Sequence, residues 1–91
     1  MQGDKVKLML DVVPGWKKSE GEIDKIEKLF KFKNFTEAMV FVNKVAEIAD
    51  EQDHHPDIFI QWNKVTFTLW THAINGLFEN DFILAAKIDE L

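Results

Sequence analysis

The sequence has no cysteine and no arginine. Without cysteine the chain can form no disulfide, no thiolate metal site and no cysteine nucleophile. Without arginine it lacks the planar bidentate group that proteins favour for phosphate and guanine recognition. The lysines form no basic stripe and the net charge is −5, so we expect no direct nucleic-acid partner.

Long apolar runs and backbone breakers are also scarce. No stretch is long enough to span a membrane, and Asp4 and Lys5 stand where a signal peptide needs an apolar block. We therefore expect a cytoplasmic protein without a membrane partner. The composition, 46% hydrophobic and 30% charged with only two prolines and four glycines, is that of an ordinary folded protein. Ninety-one residues suffice for one hydrophobic core, so residues 1–91 are expected to form a single domain.

Hydrophobic periodicity predicts seven elements in the order α-β-β-α-β-β-α. In the second strand Ile26, Phe30 and Phe32 share one side, on which Lys28 is the polar exception. This order predicts an α+β two-layer sandwich, in which helices cover one face of a four-stranded antiparallel sheet. The helices are predicted at 4–12, about 34–52 and about 80–91, and the strands at 16–18, about 23–32, 57–62 and 65–71.

The helix from Asn34 has the clearest start signal. Asn34 followed by Glu37 three residues later resembles a capping box, with Thr36 as a competing cap. Its apolar residues recur at helical spacing and are expected to pack on the sheet.

The last two strands are predicted to form a hairpin around Asn63-Lys64. Pairing Trp62 with Val65 sets Ile60 against Phe67 and puts the apolar residues on one face, as a half-buried antiparallel pair requires. In this register Trp62 is a core residue. Carried outward, the same register sets His55 opposite His72.

All three histidines, His54, His55 and His72, lie between Asp50 and Asp81. A lone histidine near a strand end is more often structural than catalytic, but three that meet at one place make a candidate site. Histidine suits general acid and base catalysis, because its unperturbed pKa near 6.5 keeps both forms available at neutral pH.

The spacing of these residues resembles a known signature. It consists of His54-His55-Pro56, five residues, Trp62, nine residues, His72, eight residues and Asp81, with Asp50 four residues before His54. This set resembles the signature of the pterin-4a-carbinolamine dehydratases. Segments such as Pro14-Gly15-Trp16, Asn63-Lys64-Val65 and Gly76-Leu77 also match family positions, so the resemblance covers roughly residues 14–91.

The resemblance implies an activity and a set of site residues. The reaction is dehydration of a 4a-hydroxytetrahydropterin to a quinonoid dihydropterin, without metal or bound cofactor, by a homodimer or homotetramer. His54, His55 and His72 would be the catalytic set, with His54 and His72 at the leaving hydroxyl and His55 binding substrate or sharing proton transfer. The resemblance further implies supporting or substrate-binding roles for Asp50 and Asp81. Trp16 is expected to be either a stacking surface for the flat pterin ring or a core residue.

One position departs from the family pattern. Phe78 stands where family members more often have a threonine that can cap the last helix, and Asn80 is the alternative cap. Without the family resemblance, Asp50 would be interpreted as a solvated carboxylate at a helix end. Asp81 would be interpreted as an acid in the first turn of a helix, where the helix dipole favours it.

Two other functions remain open. Three histidines can bind zinc with an open coordination position, as in a metal hydrolase. Adjacent residues of a strand point to opposite faces, however, so His54 and His55 could share one ion only if the backbone turns there. The second alternative is a binding or dimerisation module that keeps the fold without turnover.

Overall fold

The computed structural model of the chain describes residues 3–19 and 21–91. Its element order confirms the predicted α-β-β-α-β-β-α arrangement, with one short 3-10 helix that was not predicted. The elements are α1 (Gly3–Val12), β1 (Lys17–Ser19), β2 (Lys25–Lys31), α2 (Phe35–Gln52), β3 (Asp57–Gln61), β4 (Lys64–Leu69), the 3-10 helix (His72–Ile74) and α3 (Glu79–Asp89). In the described part of the chain, no helix is long and apolar enough to cross a membrane.

The four strands form one antiparallel sheet in the order β1-β2-β4-β3. The alternation along β4 shows which face is covered: Val65, Phe67 and Leu69 are buried, whereas Thr66 and Thr68 between them are partly exposed. Helix residues Ala38, Val42, Val45, Leu84, Ala85 and Ile88 join the same core. The predicted α+β two-layer sandwich, with its helices on one face, is therefore confirmed.

The predicted hairpin register is wrong by two residues. Ile60 pairs with Val65 and Ile58 with Phe67, so the turn is Trp62-Asn63 rather than Asn63-Lys64. Asn63 is fixed by the residue that follows β2. Its amide Nδ2 donates to the Phe32 carbonyl at 3.0 Å, and its own backbone carbonyl accepts from the Phe32 N–H at 2.8 Å. A shift of two residues keeps every side chain on its predicted face.

This correction changes the environment of Trp62. With φ of 54° it takes the left-handed position of the turn, and it is 67% exposed rather than a core residue. The shift also removes the predicted pairing of His55 with His72. Any meeting of these two residues must therefore come from the segments before β3 and after β4.

Helix α2 begins as predicted. Asn34 is its N-cap, and the Asn34 side-chain oxygen accepts a hydrogen bond from the Glu37 backbone N–H at 2.9 Å. The Glu37 carboxylate accepts from the Lys33 backbone N–H, one residue before the cap. Asn34 is therefore the cap, and Thr36 lies inside the first turn.

Replacing Asn34 with alanine is expected to lower the free energy of unfolding by about 1 kcal/mol, because the Glu37 N–H loses its acceptor. Urea unfolding would measure the change. Thr36→Ala is the matched control in the same turn and should have a smaller effect. Equal losses in the two variants would contradict the assignment of Asn34 as the cap.

The polar exception on β2 ties the two ends of the chain together. The Lys28 ammonium lies 2.8 Å from the Asp89 carboxylate in α3 and donates to the Pro14 carbonyl at 3.3 Å. The Lys28 side chain runs against Gly15, whose φ of 89° and missing Cβ allow this approach. The Lys28 ammonium thus lies at the edge of the core, where it is paired with the Asp89 carboxylate.

Candidate active site

The segment that carries His54 and His55 is a sharp turn at the end of α2. Asp53 adopts a left-handed conformation with φ of 49°, and the His54 N–H bonds back to the Ala49 carbonyl at 3.1 Å. Pro56 then disfavours further helix, and β3 begins one residue later. The turn directs the His54 ring inward, where its side chain is 12% exposed, whereas the His55 side chain remains 60% exposed.

The third histidine begins the 3-10 helix after β4. Thr71 and Gly76 close this loop by exchanging two backbone hydrogen bonds, of 2.8 and 3.3 Å. Asn75 ends the 3-10 helix in a left-handed conformation with φ of 48°. The closed loop places His72 at the same end of the sheet as His54 and His55.

The three histidines line one open cavity of about 500 Å³. One side of the cavity comes from the turn between α2 and β3, and the other comes from the connection between β4 and α3 together with the first turn of α3. The lining residues are Asp53, His54, His55, Pro56, Asp57, Thr71, His72, Ala73 and Asn80.

His54 is the best-fixed ring of the three. Its Nε2 lies 2.5 Å from an oxygen of Asp81, a carboxylate that is completely buried. The other Asp81 oxygen accepts from the Thr71 hydroxyl at 2.9 Å and from the Phe78 N–H at 3.0 Å. A carboxylate can only accept here, so His54 carries a proton on Nε2 and its Nδ1 is the nitrogen left for other partners.

The Nδ1 atom of His54 has only one weak neighbour in the described residues. The Asn80 amide Nδ2 lies 3.5 Å from it, at the limit of a hydrogen bond. The Asn80 oxygen faces the Thr71 hydroxyl at 3.0 Å, which competes with Asp81 for the single Thr71 proton. Asn80 therefore belongs to the wall of the site and does not cap α3, so the expectation that it does is wrong.

The cap of α3 comes from Asp81 instead. Phe78 precedes the helix with extended backbone and no polar side chain, and its N–H is satisfied by the Asp81 carboxylate from the first turn. The same carboxylate holds His54, so the start of α3 and the position of the His54 ring depend on one buried group. The family departure at Phe78 consequently leaves Asp81 in place.

Asp50 and His55 form a second histidine–carboxylate pair. The His55 Nε2 lies 3.0 Å from Asp50, but both side chains are largely exposed. A pair in this setting is screened by solvent and holds its ring weakly. Asp50 consequently holds the His55 ring less firmly than buried Asp81 holds His54.

His72 has a different kind of neighbour. Its ring stacks on Trp70 with 3.7 Å between ring centroids and 20° between planes. Sequence reasoning missed Trp70, Thr71 and Asn80. Period-two alternation was the available signal for Trp70, because residues 70 and 72 of an extended chain project to the same side.

Trp16 lies away from the cavity, contrary to its predicted role as a stacking surface. The side chain is 4% exposed within the core, and its Nε1 donates to the Asp89 carboxylate at 3.1 Å. A ring enclosed in this way presents no free face to a ligand. Trp16 instead joins β1 to the end of α3.

The described part of the chain contains no group of three or more histidine and carboxylate side chains arranged to hold a metal ion. The three histidines line the cavity from two sides, and they do not form such a group. The turn at Asp53 sends the adjacent rings of His54 and His55 to different carboxylates.

Comparison with known proteins gives a consistent family. The family model described as pterin 4 alpha carbinolamine dehydratase matches residues 1–91. Relatives that carry the name pterin-4-alpha-carbinolamine dehydratase, from Vibrio vulnificus strains YJ016 and CMCP6, are each 53% identical over 78 residues, which is 85% of this chain and 71% of theirs.

Solved structures agree with this match. A transcriptional coactivator/pterin dehydratase from Brucella melitensis is 36% identical, with a TM-score of 0.93 over 99% of this chain and 95% of that one. A pterin dehydratase-like protein, identified as a RuBisCO assembly factor in the alpha-carboxysome, is 23% identical with a TM-score of 0.71 over 84% and 87% of the two chains, and shows the fold alone. By sequence and fold together, the chain is an enzyme of the pterin-4a-carbinolamine dehydratase family.

Proposed function

We propose that the histidine cavity dehydrates a 4a-hydroxytetrahydropterin to the quinonoid dihydropterin by general acid and base catalysis. In this reaction the C4a–O bond breaks and the hydroxyl leaves as water after it takes a proton. N5 loses its proton, and its electron pair forms the C4a=N5 double bond. The observation that carries the proposal is that three imidazoles line one 500 Å³ cavity in a chain of this family.

His54 and His72 are proposed to act at the leaving hydroxyl. His54 is held by buried Asp81 through Nε2, so Nδ1 is the atom available to a substrate. His72 is exposed on the opposite wall and has no competing side-chain hydrogen bond among the described residues. Two proton-transfer groups on opposite sides of the cavity can both reach a hydroxyl that lies between them.

His55 and the two aspartates are proposed to support this pair. His55 is exposed in the cavity, where it can bind the pterin or share proton transfer, with Asp50 as its orienting partner. Asp81 determines which nitrogen of His54 carries the proton. The reaction needs no electron acceptor or nucleophile, so we propose that it proceeds without metal or bound cofactor.

The proposal is tested by the dehydration rate of a carbinolamine generated in the assay, with and without the purified protein. Catalytic acceleration that survives dialysis against a chelator supports it. A folded protein that leaves the spontaneous rate unchanged would contradict it and favour a binding module. Activity that is lost with removal of stoichiometric zinc and restored by zinc would instead favour the metal enzyme.

We also propose that the chain assembles as a homodimer, or as a homotetramer of two dimers, through β3. This strand is at the edge of the sheet, and all five of its residues are exposed. Ile58, Phe59 and Ile60 make that edge apolar, and no lysine or proline interrupts it. An unprotected apolar edge is a template for pairing with another strand. A cytoplasmic location remains a prediction.

Phe59→Lys is expected to shift the protein toward monomer, because a charge on each edge strand opposes pairing of two copies. Sedimentation velocity at several concentrations measures the shift. Leu8→Lys is the matched control, since Leu8 is equally exposed but lies on α1. The same mass distribution for both variants and the unmodified chain would exclude β3 as the interface.

A further inference from the structure

The three histidines of the cavity are held by different groups. His54 and His55 each have a carboxylate within hydrogen-bond distance of Nε2. The His72 side chain has no hydrogen-bond partner among the described residues, and its position depends on the stacking contact with Trp70. Groups that fix the Trp70 ring therefore also help to fix the orientation of the His72 ring.

Trp70 is itself fixed on its edge and on one face. Its Nε1 donates to the Asp57 carboxylate at 3.2 Å, which links the end of β4 to the start of β3. The Lys25 ammonium lies 4.6 Å from the Trp70 ring centroid. Ile26 pairs with Leu69, so Lys25 and Trp70 are the next residues along the same two strands.

Lys25 and His72 must occupy opposite faces of the indole. An imidazole stacked at 3.7 Å covers one face, so an ammonium over the same ring can approach only from the other. The result is a layered arrangement of Lys25, Trp70 and His72, with Asp57 fixing the edge of the middle ring. A cation over an aromatic face and two rings stacked in van der Waals contact are both favourable contacts.

We infer that Trp70 is a positioning residue for His72 in the dehydration reaction. Trp70 does not line the cavity and acts through the His72 ring, which it supports from behind. The inference rests on the proposed function, since it assumes that His72 transfers a proton. A ring displaced by about 1 Å from the reacting atoms can lose about 100-fold in rate.

Core packing alone does not account for this contact. Trp70 is only partly buried and does not belong to the hydrophobic core cluster, unlike Trp16. Of its two polar neighbours, Asp57 on β3 is exposed and Lys25 on β2 is partly buried. The contacts of Trp70 therefore serve the end of the sheet, where His72 emerges.

The test compares Trp70→Leu with Trp70→Phe. Leucine removes the stacking face and is expected to lower kcat roughly 10- to 100-fold while KM changes about threefold or less. Phenylalanine keeps a stacking face and should restore most of kcat. Trp62→Phe, at the exposed hairpin turn, is the matched tryptophan control and should retain full activity.

A second readout follows the His72 ring directly. In the unmodified protein the indole ring current should shift the ring-proton NMR signals of His72 upfield, with assignment from a His72→Gln spectrum. The upfield shift should vanish in Trp70→Leu and persist in Trp70→Phe. Circular dichroism of each variant establishes that the fold is retained. If Trp70→Leu does not fold, two other variants make the same comparison. Trp70→Phe keeps only part of the stacking surface, and Asp57→Ala removes the carboxylate that accepts from the indole N–H.

The outcomes separate this inference from the proposed function. Loss of kcat in Trp70→Leu, with rescue by phenylalanine and parallel NMR changes, supports it. Full kcat in a folded Trp70→Leu variant overturns the inference. So does full kcat in Trp70→Phe and Asp57→Ala when their NMR spectra show that the His72 ring has moved. If His72→Ala is inactive in that case, the proposed role of His72 stands without Trp70; if His72→Ala is also fully active, the proposed role of His72 fails as well.

Discussion

Replacing His72 with alanine is expected to lower kcat for carbinolamine dehydration about 10²- to 10⁴-fold, the range typical of a lost general acid or base. The residue is exposed, and its ring stacks on Trp70, which lies outside the hydrophobic core. Stability should therefore change little, and a surface substitution of this kind usually falls within about 0.5 kcal/mol. Steady-state kinetics and urea unfolding on the same preparation measure both effects.

Ile74→Ala is the matched control for His72→Ala. Ile74 is exposed in the same 3-10 helix but does not line the cavity. It should retain unmodified kinetics. Activity of His72→Ala within a few-fold of the unmodified protein would remove His72 from the mechanism, whatever happens at His54.

Replacing Asp81 is the second large effect, and it acts on both stability and activity. Asp81→Ala leaves His54, the Thr71 hydroxyl and the Phe78 N–H without their shared acceptor in a buried site. We expect the free energy of unfolding to fall by on the order of 3 kcal/mol. Urea unfolding measures this loss.

Asp81→Asn separates the electrostatic role from the structural one. The asparagine oxygen can still accept from Thr71 and Phe78, but its amide N–H groups would then face the protonated Nε2 of His54. The His54 ring must move its proton to Nδ1 or turn away, so we expect kcat to fall by roughly 100-fold or more. Stability should fall less than in Asp81→Ala.

Asp50→Asn is the control for that change. It alters the other histidine–carboxylate pair of the cavity, which is exposed and screened by solvent. The free energy of unfolding should stay within about 0.5 kcal/mol of the unmodified value. If Asp81→Asn kept the unmodified kcat, Asp81 would have only its structural role as the acceptor at the start of α3.

Much of the fold could be predicted from local patterns. The period-two alternation of β4 and the helical spacing of α2 each reflect one buried face, which a sequence records directly. The Asn34 cap was predictable for a similar reason, because its partner is only three residues away. Such features depend on neighbours in sequence, so no knowledge of the rest of the chain is required.

The hairpin register and the role of Trp16 were not predictable in this way. Asn63 takes its place in the turn through bonds to Phe32, which is 31 residues away in sequence. Trp16 is enclosed through a hydrogen bond to Asp89, which is 73 residues away. The predicted side of the sheet was still correct for the strand residues, because a shift of two residues preserves the alternation of side chains.

The spacing of histidines and acids along the chain was enough to indicate the family, the site region and the type of chemistry. It could not assign Asp81 to His54, place Trp70 behind His72 or separate Trp16 from the cavity, because each depends on contacts between distant segments. Residue type determines which proton transfers are possible, whereas the orientation of each ring depends on the groups that the folded chain packs around it.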